Sequence, residues 1–199
     1  MIGKKNARLP RPGAVGPSAM MRIMKYDVRR IEAGEWRELR AIRLEALADS
    51  PNAFGTSHGA AAALPDSAWR ERAARAATAP DDALFVALDE TGTWTGTAAA
   101  APIPDIPGTA HVHAVYVTPP HRGPDGPARA LMDTAVDFAR AHTACAWLTL
   151  GVHEDNHRAR AFYRRLGFTD TGKRVPYPLD PAKVLHILGC PDFRAPQGG

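Results

Sequence analysis

The spacing of hydrophobic residues changes several times along the chain, and each change predicts a different type of element. Apolar residues three and four positions apart, the spacing of one face of a helix, occur over 35–48, 66–77, 129–141 and 156–166. Short apolar runs typical of strands occur over 26–31, 84–88, 94–101, 111–117, 147–152 and 183–188. The sequence therefore predicts a strand, two helices and three strands, followed by helix, strand, helix and strand.

Turn residues separate these segments and support the same division. Residues 89–93 join two strands as a hairpin, and the loop after them contains Pro102, Pro104 and Pro107, which cannot donate to a strand ladder. Alternating strands and helices predict an α/β or α+β fold, in which helices cover a sheet. We expect one domain over 25–193 and a flexible C-terminus over 194–199.

A loop rich in glycine and proline, residues 122–128, lies between the strand 111–117 and the helix 129–141. We call it the glycine loop. A strand that leads through such a loop into a helix N-terminus presents unpaired backbone N–H groups and a partial positive charge. This arrangement is typical of a phosphate-binding site.

A second motif follows, with Asn156, Ala159, Phe162, Tyr163 and then Gly167-Phe168. Together with the glycine loop it resembles the acetyl-CoA-binding half of the Gcn5-related N-acetyltransferase (GNAT) superfamily. The stretch from Arg43 to Gly55 is similar to one in a bacterial branch that acetylates small molecules or proteins. The resemblance implies a mixed, mostly antiparallel central sheet of six to seven strands, flanked by about four helices.

The resemblance also implies an activity, the transfer of acetyl from acetyl-CoA to a primary amine by direct attack. Asn156 would hydrogen-bond the pantetheine arm of the co-substrate, and the phenol of Tyr163, protonated at neutral pH, would protonate the departing thiolate. The backbone of the strand before the glycine loop would pair with pantetheine, and the loop would hold the pyrophosphate. The implied acetyl-CoA-binding residues are Val115, Val117, Arg122, Gly123, Gly126, Ala128, Arg129, Asn156 and Tyr163.

The glycine loop departs from the family pattern. One extra residue separates Arg122 from Gly126, and Pro124 and Pro127 lack the N–H groups that such a loop donates. An alternative function is therefore a non-catalytic domain that binds CoA or acyl-CoA through a degenerate loop, and another is transfer of a longer acyl group. In the plainest interpretation, the loop is an ordinary turn, Asn156 a helix N-cap and Tyr163 a core aromatic.

An amine must lose a proton before it attacks, so the site needs a base that titrates near neutrality. His111 and His113 lie at alternate positions of one strand, and His111 falls where some family members place a catalytic glutamate. Both are candidates, with Glu154 as a third, although strand histidines at a sheet surface explain the same pattern. No third ligand accompanies the two histidines at a fixed spacing, so we expect no metal. Asp105 and Asp180 are candidates for an acidic acceptor entrance.

The positive charge of the chain, +4, is located in its first residues. Residues 1–25 contain six basic and no acidic residues, so the remainder is slightly acidic, which makes nucleic acid an unlikely partner for the folded part. Residues 1–24 are predicted to be a disordered basic tail or an artefact of the translation start. Two cysteines without a metal or disulfide spacing indicate a cytoplasmic protein, and no apolar run is long enough to span a membrane. A homodimer is a further expectation from the resemblance.

Overall fold

A computed structural model describes residues 26–191 and 193–194. Their strands form one sheet of seven in the order β1-β2-β3-β4-β5-β7-β6. The strands are β1 (Asp27–Arg30), β2 (Ala83–Leu88), β3 (Trp94–Pro102), β4 (Thr109–Val117), β5 (Trp147–His153), β6 (Thr169–Tyr177) and β7 (Asp180–Gly189). The sheet is mixed and mostly antiparallel, as expected, because only β4 and β5 pair in parallel.

Five α-helices cover the two faces of this sheet. They are α1 (Trp36–Asp49), α2 (His58–Ala62), α3 (Asp66–Thr78), α4 (Ala128–His142) and α5 (His157–Arg165). One core is formed by α4 and α5 with the sheet, and includes Leu131, Phe138 and Tyr163. The other is formed by α1 and α3 with the opposite face, and includes Leu47, Trp69 and Tyr116. The apolar stripes of the sequence thus become two separate layers of packing.

The two parallel strands diverge after the first three residues of β4. Thr109, Ala110 and His111 pair with β5, and no pairing between the strands continues beyond His111 in the described part of the chain. From there β4 pairs only with β3, while β5 pairs with β7 as far as His153. The divergence leaves the β5-facing backbone edge of residues 112–117 without a strand partner.

A β-bulge at Ala114 lies beside this divergence. Ala114 has a φ of 51°, which is uncommon for a residue other than glycine, and the register with β3 shifts at this point. The hydroxyl of Thr97 donates to the Ala114 carbonyl at 2.7 Å and so holds the extra residue in place. As a result, His113 and Ala114 lie on the same face of the sheet, and Val115 and Val117 lie on the α4 face.

The sequence missed two elements. β6 is an edge strand with nearly all its side chains exposed, so it lacks the apolar alternation that marks a strand. α2 has five residues, too few for a periodic pattern. All the elements that the sequence predicts are present, and their bounds differ from the predicted ones by three residues or fewer. The predicted basic tail and the last five residues lie outside the described part, in which no helix is long and apolar enough to cross a membrane.

Candidate active site

Two adjoining cavities open where β4 and β5 diverge. The larger has a volume of about 890 Å³ and lies against the glycine loop and the first turns of α4 and α5. The smaller, of about 270 Å³, lies between β4, β5 and the segment that follows α1. Both are lined by Ala53, Phe54, Val115, Asn156, Ala159 and Tyr163. The two cavities therefore meet at Tyr163.

Every residue that the sequence predicts for acetyl-CoA binding lines the larger cavity. They are Val115, Val117, Arg122, Gly123, Gly126, Ala128, Arg129, Asn156 and Tyr163. Arg158 and Arg165 of α5 also line it, and none of its lining residues is acidic. The cavity thus combines an unpaired backbone edge, a helix N-terminus and, besides Arg122, the arginines Arg129, Arg158 and Arg165. This combination suits a long anionic ligand.

The extra residue of the glycine loop is accommodated in a tight turn. The N–H of Gly126 donates to the Gly123 carbonyl at 3.2 Å, which places Pro124 at the second position of a four-residue turn, where proline is favoured. Gly123 has a φ of 132°. A Cβ on Gly126 would lie 2.1 Å from the His121 carbonyl oxygen, so the turn requires glycine there. Pro124 thus stabilises the turn at a position whose N–H the turn does not use.

Pro127 also leaves the N–H donors of the first turn of α4 available. Pro127 directly precedes the first residue of α4, and its carbonyl accepts the N–H of Leu131 at 2.9 Å. The N–H groups of Ala128, Arg129 and Ala130 lie in the first turn of α4, where a helix offers no backbone acceptor, and no side chain caps this end. Three donors therefore remain available to an anion at the helix N-terminus.

Asn156 and Tyr163 are fixed by the two ends of α5. The Asn156 Oδ1 accepts the N–H of Ala159 at 3.0 Å, so this residue is a helix N-cap whose side-chain NH₂ stays available to a ligand. At the other end Gly167, with a φ of 90°, donates to the Arg164 carbonyl, and Phe168 donates to that of Tyr163. This pair of bonds is a Schellman motif, which holds Tyr163 in the last helical turn.

The phenol of Tyr163 is packed in the core yet lines both cavities. Its side chain is 8% exposed, and burial raises the pKa of the phenol above its ordinary value. None of the described residues hydrogen-bonds its hydroxyl group. The phenol is therefore protonated at neutral pH and has its proton free to donate.

His111 and His113 line the smaller cavity with their rings stacked, 4.5 Å between centroids. Burial, together with the neighbouring His111 and Arg43, lowers the pKa of His113 to about 3. Burial also lowers the pKa of His111, but the Ala101 carbonyl and Asp82 oppose the shift. The buried Nδ1 of His111 has no hydrogen-bond partner in the described part of the chain. Both rings are neutral at pH 7, and His111 is the stronger base.

Sequence reasoning did not single out two other residues of the smaller cavity, Arg43 and His153. Arg43 lies over the Phe54 ring at 4.4 Å, and the Nδ1 of His153 accepts the N–H of Asp155 at 3.2 Å. His153 is the last residue of β5 and pairs with Leu185 of β7, beyond the point where β5 diverges from β4. In the sequence Arg43 is the first residue of the stretch that resembles the bacterial branch, and nothing there indicates that it lines a cavity.

The residues expected at an acidic acceptor entrance are not among those that line the cavities. Asp105 and Asp180 lie elsewhere. Tyr177 lines the smaller cavity and donates its hydroxyl proton to the Phe54 carbonyl at 2.8 Å. Glu154 pairs with Lys183 at 3.2 Å outside both cavities. No group of three or more potential metal ligands occurs within 26–191 and 193–194.

Residues 39–168 match the family described as the acetyltransferase (GNAT) family. The chain belongs to this family. No curated protein matches the GNAT chain significantly in sequence.

Solved GNAT structures share its fold. A GNAT acetyltransferase from Streptococcus pneumoniae is 16% identical, with a TM-score of 0.68 over 82% of this chain and 97% of that one. A putative acetyltransferase from Salmonella typhimurium, solved with its cofactor acetyl-CoA, is 21% identical, with a TM-score of 0.63 over 82% and 92%. A spermidine N-acetyltransferase from Vibrio cholerae, in complex with CoA and spermine, is 19% identical, with a TM-score of 0.63 over 83% and 94%.

Proposed function

We propose that this protein is an N-acetyltransferase that transfers the acetyl group of acetyl-CoA to a primary amine by direct attack. The observation that carries the proposal is the meeting of two cavities at Tyr163, where β4 and β5 diverge. One cavity has the donors and arginines that an anionic co-substrate needs, and the other has neutral imidazoles beside it. Membership of the GNAT family supports the same chemistry.

The larger cavity is the site for acetyl-CoA. The N–H groups of Ala128, Arg129 and Ala130 at the start of α4 would hold the pyrophosphate, with the Arg129 side chain beside them. The unpaired backbone of Val115 and Val117 and the side-chain NH₂ of Asn156 would hold the pantetheine arm. The thioester would then lie at the junction of the cavities.

When bound, acetyl-CoA supplies an acyl carbon that an amine attacks, so that an amide forms and free CoA leaves. The residues of this chain move the protons. Tyr163, whose phenol is protonated at neutral pH because burial raises its pKa, donates this proton to the departing sulfur. His111 accepts the proton that the amine loses, and His113 lies against it as a neutral ring.

The alternative is a domain that binds CoA without catalysis, suggested by the two prolines of the glycine loop. The turn at Gly123–Gly126 and the free N–H groups of α4 favour a functional loop over a degenerate one. A binding-only domain would also have no use for a second cavity that reaches Tyr163. We therefore favour catalysis.

Calorimetric titration with acetyl-CoA and with free CoA tests the proposed site. We expect dissociation constants on the order of micromolar, about 8 kcal/mol of binding free energy. Absence of binding at millimolar acetyl-CoA would overturn both the transferase and the binding-domain interpretations. Binding followed by release of CoA thiol when amines are added would separate the first interpretation from the second.

A further inference from the structure

The smaller cavity has a charge pattern that is unusual for a site that receives an amine. Its lining contains Arg43, His111, His113 and His153, and no aspartate or glutamate. An amine arrives as a cation, and a purely cationic acceptor would meet the guanidinium of Arg43 without any carboxylate to offset it. The charge pattern therefore indicates that the acceptor carries its own negative group.

Arg43 is half-buried and has no partner of opposite charge. Within the described residues no carboxylate pairs with its guanidinium and no acceptor hydrogen-bonds it, and its ring contact is with Phe54 at 4.4 Å. Other arginines of this part of the fold are paired: Arg29 binds Glu35, and Arg122 binds Asp49. A cation removed from water costs free energy unless an anion or hydrogen-bond acceptor compensates it.

The pKa of Arg43 is lowered, first by burial and then by the positive charge of Arg72. This direction is the one that an uncompensated cation shows, and it opposes the raised pKa of Arg29, whose main cause is its hydrogen bond with Glu35. Binding of an anion would relieve the penalty at Arg43. Binding of an anionic ligand would therefore offset the free-energy cost of burying the Arg43 guanidinium.

The number of charges in the cavity selects the kind of anion. His113 is neutral because its pKa is about 3, and the pKa of His111 is lowered as well. Arg43 is the one arginine in a lining that contains no lysine, and its single charge balances a carboxylate with one charge better than a phosphate with two.

We propose that the acceptor is a small amine that also bears a carboxylate, and that Arg43 binds this carboxylate while the amine lies toward Tyr163. The inference rests on the proposed function and names its substrate class. The Phe54 ring stacks on the face of the guanidinium and leaves the N–H edges for a two-point contact with a planar carboxylate. A volume of about 270 Å³ suits a molecule of amino-acid size.

The test compares free L-amino acids with the same amino acids as carboxamides, and with spermidine, as acceptors for acetyl-CoA. Release of CoA thiol measures turnover, and the melting temperature in the presence of CoA measures binding. We expect at least one free amino acid to be acetylated with a kcat/KM about 10-fold or more above that of its carboxamide, and spermidine to be a poor acceptor.

Three variants locate the effect. Arg43→Gln should bring the ratio of free acid to carboxamide close to one and leave acetyl-CoA affinity unchanged. Arg43→Lys, which keeps the charge without the planar fork, should keep part of the ratio. Arg37→Gln is the matched control, since Arg37 is an exposed arginine of the same helix that lines neither cavity.

Several results would overturn the inference and leave the proposed function standing. They are preferred turnover of spermidine or carboxamides, absence of any response to free amino acids by a protein that binds acetyl-CoA, or an unchanged ratio in Arg43→Gln. If Arg43→Gln does not fold, the wild-type ratio together with Arg43→Lys decides. Failure to bind acetyl-CoA would instead contradict the proposed function itself.

Discussion

The guanidinium of Arg122 pairs with the carboxylate of Asp49, and its Nε–H donates to the Val117 carbonyl at 2.8 Å. The arginine at the start of the glycine loop is therefore used inside the protein. It ties the loop to the end of α1 and to the end of β4. Under the proposed function, we therefore expect Arg122 to contribute to co-substrate binding by positioning the loop, and the α4 N–H groups to contact the ligand.

Replacement of Asp49 by asparagine should weaken acetyl-CoA binding although Asp49 does not line the larger cavity. The loop would lose its charged anchor, so we expect a 3- to 10-fold rise, roughly, in the dissociation constant and a loss of about 1 kcal/mol of unfolding free energy. Calorimetry and urea denaturation measure the two effects. Asp137→Asn, which removes the carboxylate of the surface pair with Arg140, is the control and should change neither. An unchanged affinity in Asp49→Asn would show that the loop keeps its position without Arg122.

The glycine loop should not tolerate alanine at position 126. Because the added Cβ would lie 2.1 Å from the His121 carbonyl oxygen, the backbone must move, and the α4 donors would no longer converge. We expect acetyl-CoA affinity to fall by at least about tenfold, equivalent to about 1.4 kcal/mol. Gly34→Ala provides the comparison, since a Cβ there meets no atom within 4 Å. Normal affinity in Gly126→Ala would contradict the proposed role of this turn.

Tyr163→Phe should slow turnover by about 10²-fold and leave the dissociation constant of acetyl-CoA nearly unchanged. The phenol makes no internal hydrogen bond, so its removal should cost little stability. Stopped-flow detection of CoA thiol under saturating acetyl-CoA measures the step. Tyr26→Phe removes another buried phenol, which hydrogen-bonds His121 outside both cavities, and should retain most of the turnover. Equal rates in Tyr163→Phe and the wild type would exclude Tyr163 as the acid.

The pH dependence of kcat/KM should identify the base. His111 accepts a proton only in its neutral form, and its pKa lies below the ordinary value of 6.5. Activity should therefore be independent of His111 ionisation at pH 7 and decline only as the pH falls below 6.5. In His111→Gln we expect this acidic limb to disappear and the rate to fall by about 10²-fold. In His113→Gln the acidic limb should persist. A limb that persists in His111→Gln would assign the base to another group.

The fold was largely predictable because most of its elements bury one face. The apolar stripe of α4 and the apolar run of β5 are visible in the sequence, and the same residues are buried in the fold. β6 could not be found in this way, since its strand geometry comes from pairing with β7 and not from its own side chains.

The parts of the candidate site that consist of local backbone motifs were predictable from the sequence. The glycine loop and the N-cap Asn156 are local motifs, so their residues identify themselves by spacing. Arg43 and the anchoring role of Arg122 depend on contacts between α1 and distant loops, which no spacing in the sequence records. The two prolines appeared harmful in the sequence because neither the turn that contains Pro124 nor the helix start at Pro127 was visible there.

The bulge at Ala114 divides β4 between two tasks. Before it, His111 and His113 project toward the acceptor cavity, and after it the odd-numbered positions, Val115 and Val117, project to the opposite face. One inserted residue thus reverses the parity of the strand, so that odd-numbered positions lie toward the smaller cavity before the bulge and toward α4 after it. Under the proposed function, substitutions of His111 or His113 should therefore change the choice of acceptor and leave the backbone that holds the co-substrate in place.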